Sequence, residues 1–474
     1  MNRRGRPNIV FLMLDTLSAD SLRLFGGGVR MPNVEGMAKQ GTLYKNAIAP
    51  GTYTLTSHVS IFTGKRVRGM KHLNKNPVNA SESIDPLFLK NKYIRQSDLT
   101  LARRLSYLGY KTSLFSNNPF ITNSTGLGVG FAHVKNIFME NKLNYHKTTL
   151  RVIGNDFLRE NLTKLACYAS AAIPQEQLER LYTSLRNRLN EKVCRETGAY
   201  LLDQGAALTN AVIDDYLSKT SPEGHFIFAN YMEAHEGYPT QMITNKDVSQ
   251  DRWMYVSGIL GVEDTEVLRR AYTKRLEYLD RKIGRLMLLL KYRGVLDNAV
   301  VVLTSDHGQA FMEHGQLYHT LFPYNEISHV PLIAARYLHG KQVSDRKTVE
   351  KTVSLTSLYD SLLGIGYGKS ETLNGSMTTE GSVFSDHTGM LDVWDMRLLG
   401  MLKGRIKNAE IIYKTKMKYN TFATAVYSGN YKLMHYYGGS MKDELYNLEE
   451  DPKESLNIIG EKRETARELL HRAC

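Results

Sequence analysis

The strongest constraint on the fold is a set of three predominantly apolar runs, each followed by polar residues. The runs read NIVFLML (8–14), HFIFANYM (225–232) and AVVVLTS (299–305). Strands that are apolar along their whole length, without alternation, are typical of parallel sheets covered by helices on both faces. The sequence therefore predicts an α/β fold in which these three segments are central strands.

The segments between these runs follow a strand–helix–strand order. Helices are predicted over 31–41, 54–63, 97–108 and 266–291, and further strands over 42–49 and 111–116. A glycine stands at or just after the end of each of the first three helices, where a helix commonly stops. Near the end of the chain, the pattern predicts an antiparallel hairpin within 411–437 and a last helix over 453–470.

The length of 474 residues allows one large domain and a smaller one. We predict a sheet domain over 1–345, with a mostly parallel sheet flanked by helices, and a small C-terminal α+β subdomain over 346–474. Residues 135–220 are charged, Leu-spaced and poor in Gly and Pro. We predict that they form a helical insertion, which serves as a lid or partner surface over the polar strand ends.

The composition indicates which partners the chain can have. A net charge of +13 favours acidic partners, such as phosphate or sulfate esters. Basic patches interleaved with aromatic residues are not evident, so no nucleic-acid partner is expected. The pattern leaves the oligomeric state open.

The cysteines and the N-terminus bear on localisation. Three cysteines stand far apart, at 167, 194 and 474, which argues against a disulfide framework. The basic N-terminus precedes only a short apolar stretch before Asp15, unlike a signal peptide. No window reaches the roughly 18–20 apolar residues of a membrane span. We therefore expect a cytoplasmic protein without a transmembrane segment.

Polar residues with metal-binding chemistry follow each of the three apolar runs. These residues are Asp15, then Glu233 with His235, then Asp306 with His307. Each alone could cap a helix or satisfy a loop, but the carboxyl ends of parallel strands meet at one ligand-binding edge. Two carboxylates and an imidazole suit Mn, Zn, Mg or Ca with an open coordination position. The pattern therefore predicts a shared cation site.

A hydroxyl at a predicted helix start adds a candidate nucleophile. Thr54 opens the segment TLTSHVSIFT. A neighbouring cation would lower the pKa of this hydroxyl, and the helix N-terminus would favour an anionic group beside it. Together these residues indicate an enzyme that acts on an anionic ester.

Several longer stretches sharpen this interpretation. They include PNIVFLMLDTLSADSLRLFGG, MPNVEGMAKQGTLYKNAIAPGTYTLTSHVSIFTGK, YMEAHEGYP, LTSDHGQAFMEHGQLYHT and SGNYKLMHYYGGSMKDELYNLEEDPKE. In this order they resemble the sulfatase family of the alkaline-phosphatase superfamily, and only about 135–220 and parts of 340–410 lack a counterpart. The resemblance implies an alkaline-phosphatase-like sandwich and a metal-dependent ester hydrolase or phosphotransferase.

The resemblance also implies the metal ligands. Asp15 corresponds to the family's metal-binding Asp after the first strand, and Asp306 with His307 to the pair after the late strand. Thr16 stands where many sulfatases have a second Asp, so we expect one divalent ion, with Thr54 as a further ligand. His307 replaces a frequent Asn and is similar to the residue found in phosphonate- and phosphate-ester enzymes and glycerol-phosphate transferases.

Thr54 falls at the family's nucleophile position. The sulfatase signature there is Cys or Ser, x, Pro, x, Arg, whereas this chain has Thr-Leu-Thr-Ser-His over 54–58. A threonine cannot be oxidised to formylglycine, so the resemblance implies direct attack on a phosphate ester, such as a glycan phosphate or glycerol phosphate. Water or an acceptor alcohol would resolve the intermediate. Two alternatives remain: a sulfatase without formylglycine, and a catalytically silent binding protein of the same fold.

Further side chains are expected around the transferred group. His235 corresponds to a family His that contacts the anionic group, and His319 lies in a segment with a similar role. His58 and Lys65 are additional candidates for stabilising the charge on that group, and one of the histidines would protonate the leaving oxygen. Three other polar residues are candidates for structural or supporting roles: His314, Asn117 and Asn118.

Overall fold

The computed structural model describes most of the chain outside four long gaps. The described residues are 5–67, 94–137, 202–238, 262–319, 321–343, 346–373, 377, 381–387, 421–437 and 441–473. Within them, the predicted α/β architecture is confirmed: a large sheet lies between layers of helices, and a small antiparallel sheet follows it in the sequence.

The large sheet contains ten of the described strands. They are β1 Asn8–Leu14, β2 Thr42–Ile48, β3 Lys111–Ser116, β4 His133–Asn136, β5 His225–Tyr231, β6 Asn298–Thr304, β9 His329–Leu338, β10 Lys341–Val343, β11 Lys347–Val349 and β12 Val353–Ser354. The strands β7 Ala310–Phe311 and β8 Leu317–Tyr318 pair only with each other in the described sheets. The order is β11-β2-β9-β6-β1-β5-β3-β4, with β10 beside β9 and β12 beside β2. Strand β9 runs antiparallel to its neighbours, and the run from β6 through β4 is parallel.

Strand β1 lies in the middle of this sheet, and all seven of its residues are buried. Its parallel partners set the register: Leu14 lies opposite Tyr231 of β5, and Met13 lies opposite Thr304 of β6. The carboxyl ends of the three predicted central strands therefore lie side by side. The backbone N–H of Asp15 extends this alignment by donating to the Tyr231 carbonyl at 2.9 Å.

Helices cover both faces of the sheet. The α-helices among the described residues are α1 Pro32–Gln40, α2 Thr54–Thr63, α3 Leu101–Tyr107, α4 Ala206–Ser218, α5 Val262–Tyr292, α6 Asn325–Ser328, α7 Leu358–Gly366 and α8 Arg463–Ala473, of which α8 lies on the C-terminal sheet described below. Alternate residues of β1 point to opposite layers. Leu12 belongs to the core shared with α1, α4 and α5, and Phe11 to the core shared with α2, α3 and α7.

Two helices are shorter than predicted at their N-termini, and local hydrogen bonds explain both. Helix α3 begins after Thr100, whose hydroxyl accepts a hydrogen bond from the N–H of Arg103 at 3.1 Å and so caps the helix. Helix α8 begins at Arg463 rather than near 453. The segment before it contains a turn in which Asp451 accepts hydrogen bonds from the N–H groups of Glu454 and Leu456.

The C-terminal sheet consists of β13 Val383–His387, β14 Ala423–Ser428, β15 Tyr431–Tyr436 and β16 Glu444–Asn447, all antiparallel. The predicted hairpin is the β14–β15 pair, and α8 packs on this sheet. A fully buried ion pair joins Lys432 Nζ to Glu454 Oε1 at 2.6 Å.

The predicted division at 345/346 falls inside the large sheet layer. Strand β11 pairs with β2, with Lys347 opposite Thr42, and β12 continues along the same strand. Helix α7 packs against α2 and α3. The small sheet therefore begins at Val383. Short edge strands bury few side chains, so the sequence pattern does not distinguish them from loop.

Most of the predicted helical insertion, residues 138–201, lies outside the described residues, so the lid hypothesis stays a prediction. At its margins, β4 forms an edge of the large sheet and α4 packs against α5 and β3. In the part of the chain that the structure describes, no helix is long and apolar enough to span a membrane.

Candidate active site

The carboxyl edge of the large sheet gathers the residues predicted to bind a cation. Asp15 directly follows β1, Asp306 and His307 follow β6 after one serine, and Thr54 is the first residue of α2. Hydrogen bonds fasten the two strand ends together: Thr16 N–H donates to Asp306 Oδ1 at 3.3 Å. Thr16 has a φ of 63°, which is rare for a β-branched residue and marks a strained turn at the site.

Asp15, Asp306 and His307, hereafter the first group, are fully buried and converge on one point. Each offers a ligand atom, and these atoms lie within 4.8 Å of one another. Within the described residues, Asp15 Oδ1 and Asp306 Oδ2 are buried oxygens that accept no hydrogen bond. Buried carboxylate oxygens are costly to leave unsatisfied. A divalent cation would satisfy both oxygens, so the residues present fit the predicted metal.

The hydrogen bonds around the first group orient its side chains. His307 Nδ1 donates to the Gly308 carbonyl at 3.1 Å, which leaves Nε2 unprotonated and free to act as a ligand in the neutral ring. Asn118 Nδ2 donates to Asp15 Oδ2 at 2.8 Å. Metal-binding side chains are commonly held in place by such outer hydrogen bonds.

The electrostatics of the first group also favour a cation. Burial, together with the neighbouring Asp306 carboxylate, raises the pKa of Asp15 to about 6. Burial likewise raises the pKa of Asp306 to about 6 and lowers the pKa of His307. Two buried carboxylates side by side oppose ionisation unless a positive charge lies between them.

Thr54 places its hydroxyl beside the first group. Its Oγ1 lies 3.5 Å from His307 Nε2 and accepts a hydrogen bond from Asn118 Nδ2 at 3.4 Å. Tyr53 precedes the helix in an extended conformation and makes no side-chain capping hydrogen bond. The nucleophile candidate therefore stands at a helix N-terminus, where backbone N–H groups favour an anion.

A second cluster lies next to the first. His235, Glu236 and His319, hereafter the second group, also offer ligand atoms within 4.8 Å of one another. The ring of His319 stacks on that of His307, with centroids 4.4 Å apart. The structure therefore brings the two predicted substrate histidines together beside the first group, along with a carboxylate that the sequence reasoning did not select.

Two predicted catalytic residues differ in their distance from the site: His58 Nδ1 lies 3.6 Å from Asp306 Oδ2, whereas Lys65 lies beyond the far end of α2. Lys65 is exposed beyond the last turn of α2, on the order of 15 Å along the helix from Thr54 at 1.5 Å per residue. His58 is fully buried beneath the first group, and its Nδ1 donates to the Thr54 carbonyl at 2.8 Å. Burial lowers the pKa of His58 to about 3, so the ring is neutral and supports α2 rather than carrying charge.

Two other polar residues have structural partners. Glu233 follows β5 but turns away to cap α4, accepting hydrogen bonds from the N–H groups of Gln204 and Ala206. His314 pairs with Glu326, its Nδ1 2.9 Å from the carboxylate. Both belong to the supporting structure around the site.

Sequence reasoning missed the site roles of Asn118 and Glu236. Asn118 follows β3, which lies beside β5, so the strand-end rule that selected Asp15 could also have selected it. The alternative interpretation was that Asn118 stabilises a turn. Its Oδ1 does accept a hydrogen bond from the N–H of Phe120 at 2.8 Å. Glu236 follows His235 in a loop, and no periodic pattern distinguishes it.

The sheet order, the helical layers and the first group together define an alkaline-phosphatase-like protein. Residues 7–368 match the family model described as Sulfatase, so the chain belongs to the sulfatase family and is a sulfatase-family hydrolase. The predicted resemblance is confirmed.

Relatives and solved structures agree with this family. Arylsulfatase K of Xenopus laevis is 24% identical over 493 residues, covering 98% of this chain and 81% of the relative. N-acetylglucosamine-6-O-sulfatase of Bacteroides thetaiotaomicron is 21% identical, covering 96% and 83%. The phosphonate monoester hydrolase of Agrobacterium radiobacter superposes with a TM-score of 0.60 at 16% identity, covering 99% of this chain and 94% of that one. At this identity the structural likeness establishes the fold.

Proposed function

We propose that this protein is a metal-dependent hydrolase or transferase of phosphate esters and that Thr54 is its nucleophile. The observation that carries the proposal is the position of the Thr54 hydroxyl. It lies at the start of α2, 3.5 Å from His307 Nε2 and within hydrogen-bond reach of Asn118. A hydroxyl placed between a cation site and a helix N-terminus can attack an anionic ester that both features attract.

The residues of the first group would hold the metal through Asp15, Asp306 and His307. A bound divalent cation would supply Lewis acidity, polarising an ester oxygen and lowering the pKa of a nearby hydroxyl. Asn118 orients both Asp15 and Thr54, because its amide donates to each of them. His235 and His319, both members of the second group, contribute to stabilising the charge on the transferred phosphoryl moiety.

The proposed reaction has two steps, formation and breakdown of a phosphothreonine at Thr54. In the first, Thr54 Oγ1 forms a bond to phosphorus while the bond from phosphorus to the ester oxygen breaks, and the hydroxyl proton ends on the leaving alcohol. In the second, water attacks phosphorus, the bond to Thr54 breaks and the threonine regains a proton. If an acceptor alcohol replaces water, the same site transfers the phosphoryl group.

Sulfate-ester hydrolysis is the second candidate. Its support is the family itself and the printed names of relatives such as arylsulfatase K and N-acetylglucosamine-6-O-sulfatase. The second of these names points to a sulfated sugar as the substrate. Against this candidate stands Thr54, because threonine cannot supply the aldehyde hydrate that sulfatases generate from Cys or Ser.

The test is a screen of phosphomonoesters, phosphodiesters, phosphonates and sulfate esters, with Mn²⁺, Zn²⁺, Mg²⁺ or Ca²⁺ added. Phosphoester turnover should exceed sulfatase turnover. Thr54→Ala should lower it on the order of 10⁴–10⁶-fold, as commonly happens when the nucleophile of a covalent mechanism is removed. Thr54→Ser should retain part of the activity.

Two outcomes would overturn the proposal. One is near-native phosphoesterase activity in Thr54→Ala, and the other is an enzyme that cleaves only sulfate esters. Tight binding of phospho- or sulfo-sugars without turnover would favour the silent binding protein instead.

A further inference from the structure

We propose that β13, the first strand of the C-terminal sheet, holds the helix α2 in place, and that Asp386 and Arg66 are positioning residues for Thr54. The proposal rests on the proposed function, because it concerns the position of the nucleophile. Both residues lie outside the first and second groups, and no pattern in the sequence selected them. They connect the C-terminal sheet to the chemistry of the large sheet.

A bidentate ion pair joins the chain just after α2 to β13. Arg66 Nε donates to Asp386 Oδ2 at 2.6 Å, and Arg66 Nη2 donates to Asp386 Oδ1 at 2.6 Å. The Asp386 side chain is buried, and the Arg66 side chain is 27% exposed. Two parallel hydrogen bonds to one carboxylate fix the relative orientation of the side chains as well as their distance. The pair therefore opposes both sliding and rotation of this part of the chain against β13.

The neighbours of the ion pair hold it in its observed geometry. The Thr424 hydroxyl of β14 accepts a hydrogen bond from Arg66 Nη2 at 3.1 Å and donates one to Asp386 Oδ1 at 2.7 Å. The Arg66 guanidinium also lies over the ring of Phe384, 4.1 Å from its centroid. An isolated surface ion pair contributes little, but a pair with ideal geometry inside a hydrogen-bonded network contributes more.

The backbone of Asp386 holds the chain on the other side of α2. Its N–H donates to the Pro50 carbonyl at 3.0 Å, and Gly51 forms a parallel bridge with it. Beside them, the buried Thr52 hydroxyl lies 3.1 Å from Nδ1 of the buried His387. Contacts from β13 therefore reach the chain both before and after the nucleophile helix.

Hydrogen bonds extend this constraint to the first turn of α2. Ser57 Oγ donates to the Gly51 carbonyl at 3.0 Å, and Thr56 Oγ1 donates to the Tyr53 carbonyl at 2.9 Å. The packing at Gly51 is close, because a Cβ atom there would collide with Thr56 Oγ1. A glycine lets the chain before α2 lie directly against the helix. The segment that β13 contacts and the first turn of α2 are thus one packed unit.

The position of Thr54 depends on this unit. Thr54 Oγ1 lies 3.5 Å from His307 Nε2 and 3.4 Å from Asn118 Nδ2, so a small shift of α2 would break both contacts. Both partners follow strands of the large sheet, whereas α2 is also held from β13. Misplacement of a reacting group by about 1 Å can cost on the order of 10²-fold in rate. Loss of the ion pair should therefore lower kcat.

Hydrogen exchange without substrate tests the proposal first. Arg66→Ala and Asp386→Asn each break the ion pair. Asp214→Asn is the matched control, because Asp214 is a nearly buried carboxylate on α4 that pairs with Arg293 at 2.7 Å. In protein loaded with Mn²⁺, the amides of α2 should exchange faster in the first two variants. The control should leave the exchange of α2 native.

Kinetics with p-nitrophenyl phosphate then separate positioning from binding. We expect kcat to fall about 10–100-fold in Arg66→Ala and Asp386→Asn, with KM changed less than about twofold. Asp214→Asn should keep the native kcat even where its loss in Tm is similar. The double variant of Arg66 and Asp386 should lose no more kcat than the poorer single variant, because the two residues act as one unit. Arg66→Lys keeps the charge and should retain part of the kcat.

Native exchange of α2 or a native kcat in both ion-pair variants would overturn the proposal. An equal loss of kcat in Asp214→Asn would overturn it as well, because stability alone would then explain the effect. Losses that multiply in the double variant would mean that the two residues act separately. Failure of the proposed function has a different signature: Thr54→Ala would keep its activity, while the exchange of α2 would still decide whether β13 holds the helix.

Discussion

The two ligand clusters at the sheet edge differ in how the chain builds them. The first group is carried by residues at the ends of β1 and β6, and all of its side chains are fully buried. The second group is carried by the loops after β5 and β8, and two of its three residues are partly exposed. The comparison shows that a parallel sheet fixes side chains that stand at strand ends, whereas the meeting of loop side chains depends on how the chain folds around them.

The largest effect should follow from damage to the first group. Asp306→Asn removes a carboxylate whose Oδ2 faces the cation position, so we expect loss of that ion and more than ~100-fold loss of activity, since even outer partners of a metal typically contribute 10–100-fold. Metal analysis and kcat/KM check this. Glu236→Gln is the matched acid-to-amide change in the second group. If Asp306→Asn costs less activity than Glu236→Gln, the ranking of the two groups is wrong.

The next effect concerns the hydrogen bonds that hold the first group. Asn118→Ala removes the amide that donates to Asp15 and Thr54. We expect about a 10–100-fold loss in metal affinity or activity. Asn33→Ala is the control. Asn33 lies outside the site, and its Nδ2 donates a hydrogen bond of 2.7 Å to the Asp280 carboxylate. That variant should keep native kinetics. Equal losses in both variants would mean that Asn118 acts only through stability.

Metal binding by the first group should depend steeply on pH. The pKa values of Asp15 and Asp306 are both raised to about 6, mainly by burial, and both must lose a proton to bind a cation. Below pH 6, affinity should fall by up to about tenfold per pH unit for each carboxyl that takes up a proton. The increase in Tm on adding Mn²⁺ should therefore be large at pH 7 and small at pH 5.

The sign of this effect reverses in the metal-free protein. A carboxyl whose folded pKa lies above its usual value near 4 favours the fold at low pH and loses that contribution as pH rises to about 6. The metal-induced increase in Tm, rather than Tm itself, is therefore the quantity to compare. An equal increase at pH 5 and pH 7 would contradict the assignment of the first group as the ion's ligands.

The smallest effect should come from Lys65→Ala. The side chain is exposed at the far end of α2, so its removal should change kcat/KM by less than about twofold, as for most surface substitutions. A loss of tenfold or more would mean that Lys65 reaches the substrate by a path that the described residues do not show.

Much of the fold could be predicted because buried strands and helices have recognisable patterns of apolar residues in the sequence. The apolar run Asn8–Leu14 and the segment Lys111–Ser116 became strands with the predicted bounds, and the helix over Thr54–Thr63 likewise matched. The small edge strands β11 and β12 left no such trace, because two or three residues do not establish a period. These strands follow the predicted division at 345/346 but pair with β2 of the large sheet.

The site could be predicted only in part. Asp15, His235, Asp306 and His307 were selected because they follow buried strands. Thr54 was selected because it opens a predicted helix, and the resemblance to the sulfatase family added His319. Glu236 and the site contacts of Asn118 emerged only with the structure. Neighbouring rings and hydrogen-bond partners, not sequence neighbours, determine what these two side chains do.

The sequence by itself determined the class of fold, the central strands and the candidate ligands at their ends. Consecutive apolar residues indicate a buried strand, and the polar residues that follow them lie at its carboxyl end. Only the tertiary structure decided that Glu233 caps α4 and that His235, Glu236 and His319 meet beside His307. These contacts join segments up to hundreds of residues apart. Their geometry depends on sheet order and loop packing, and no local pattern encodes either.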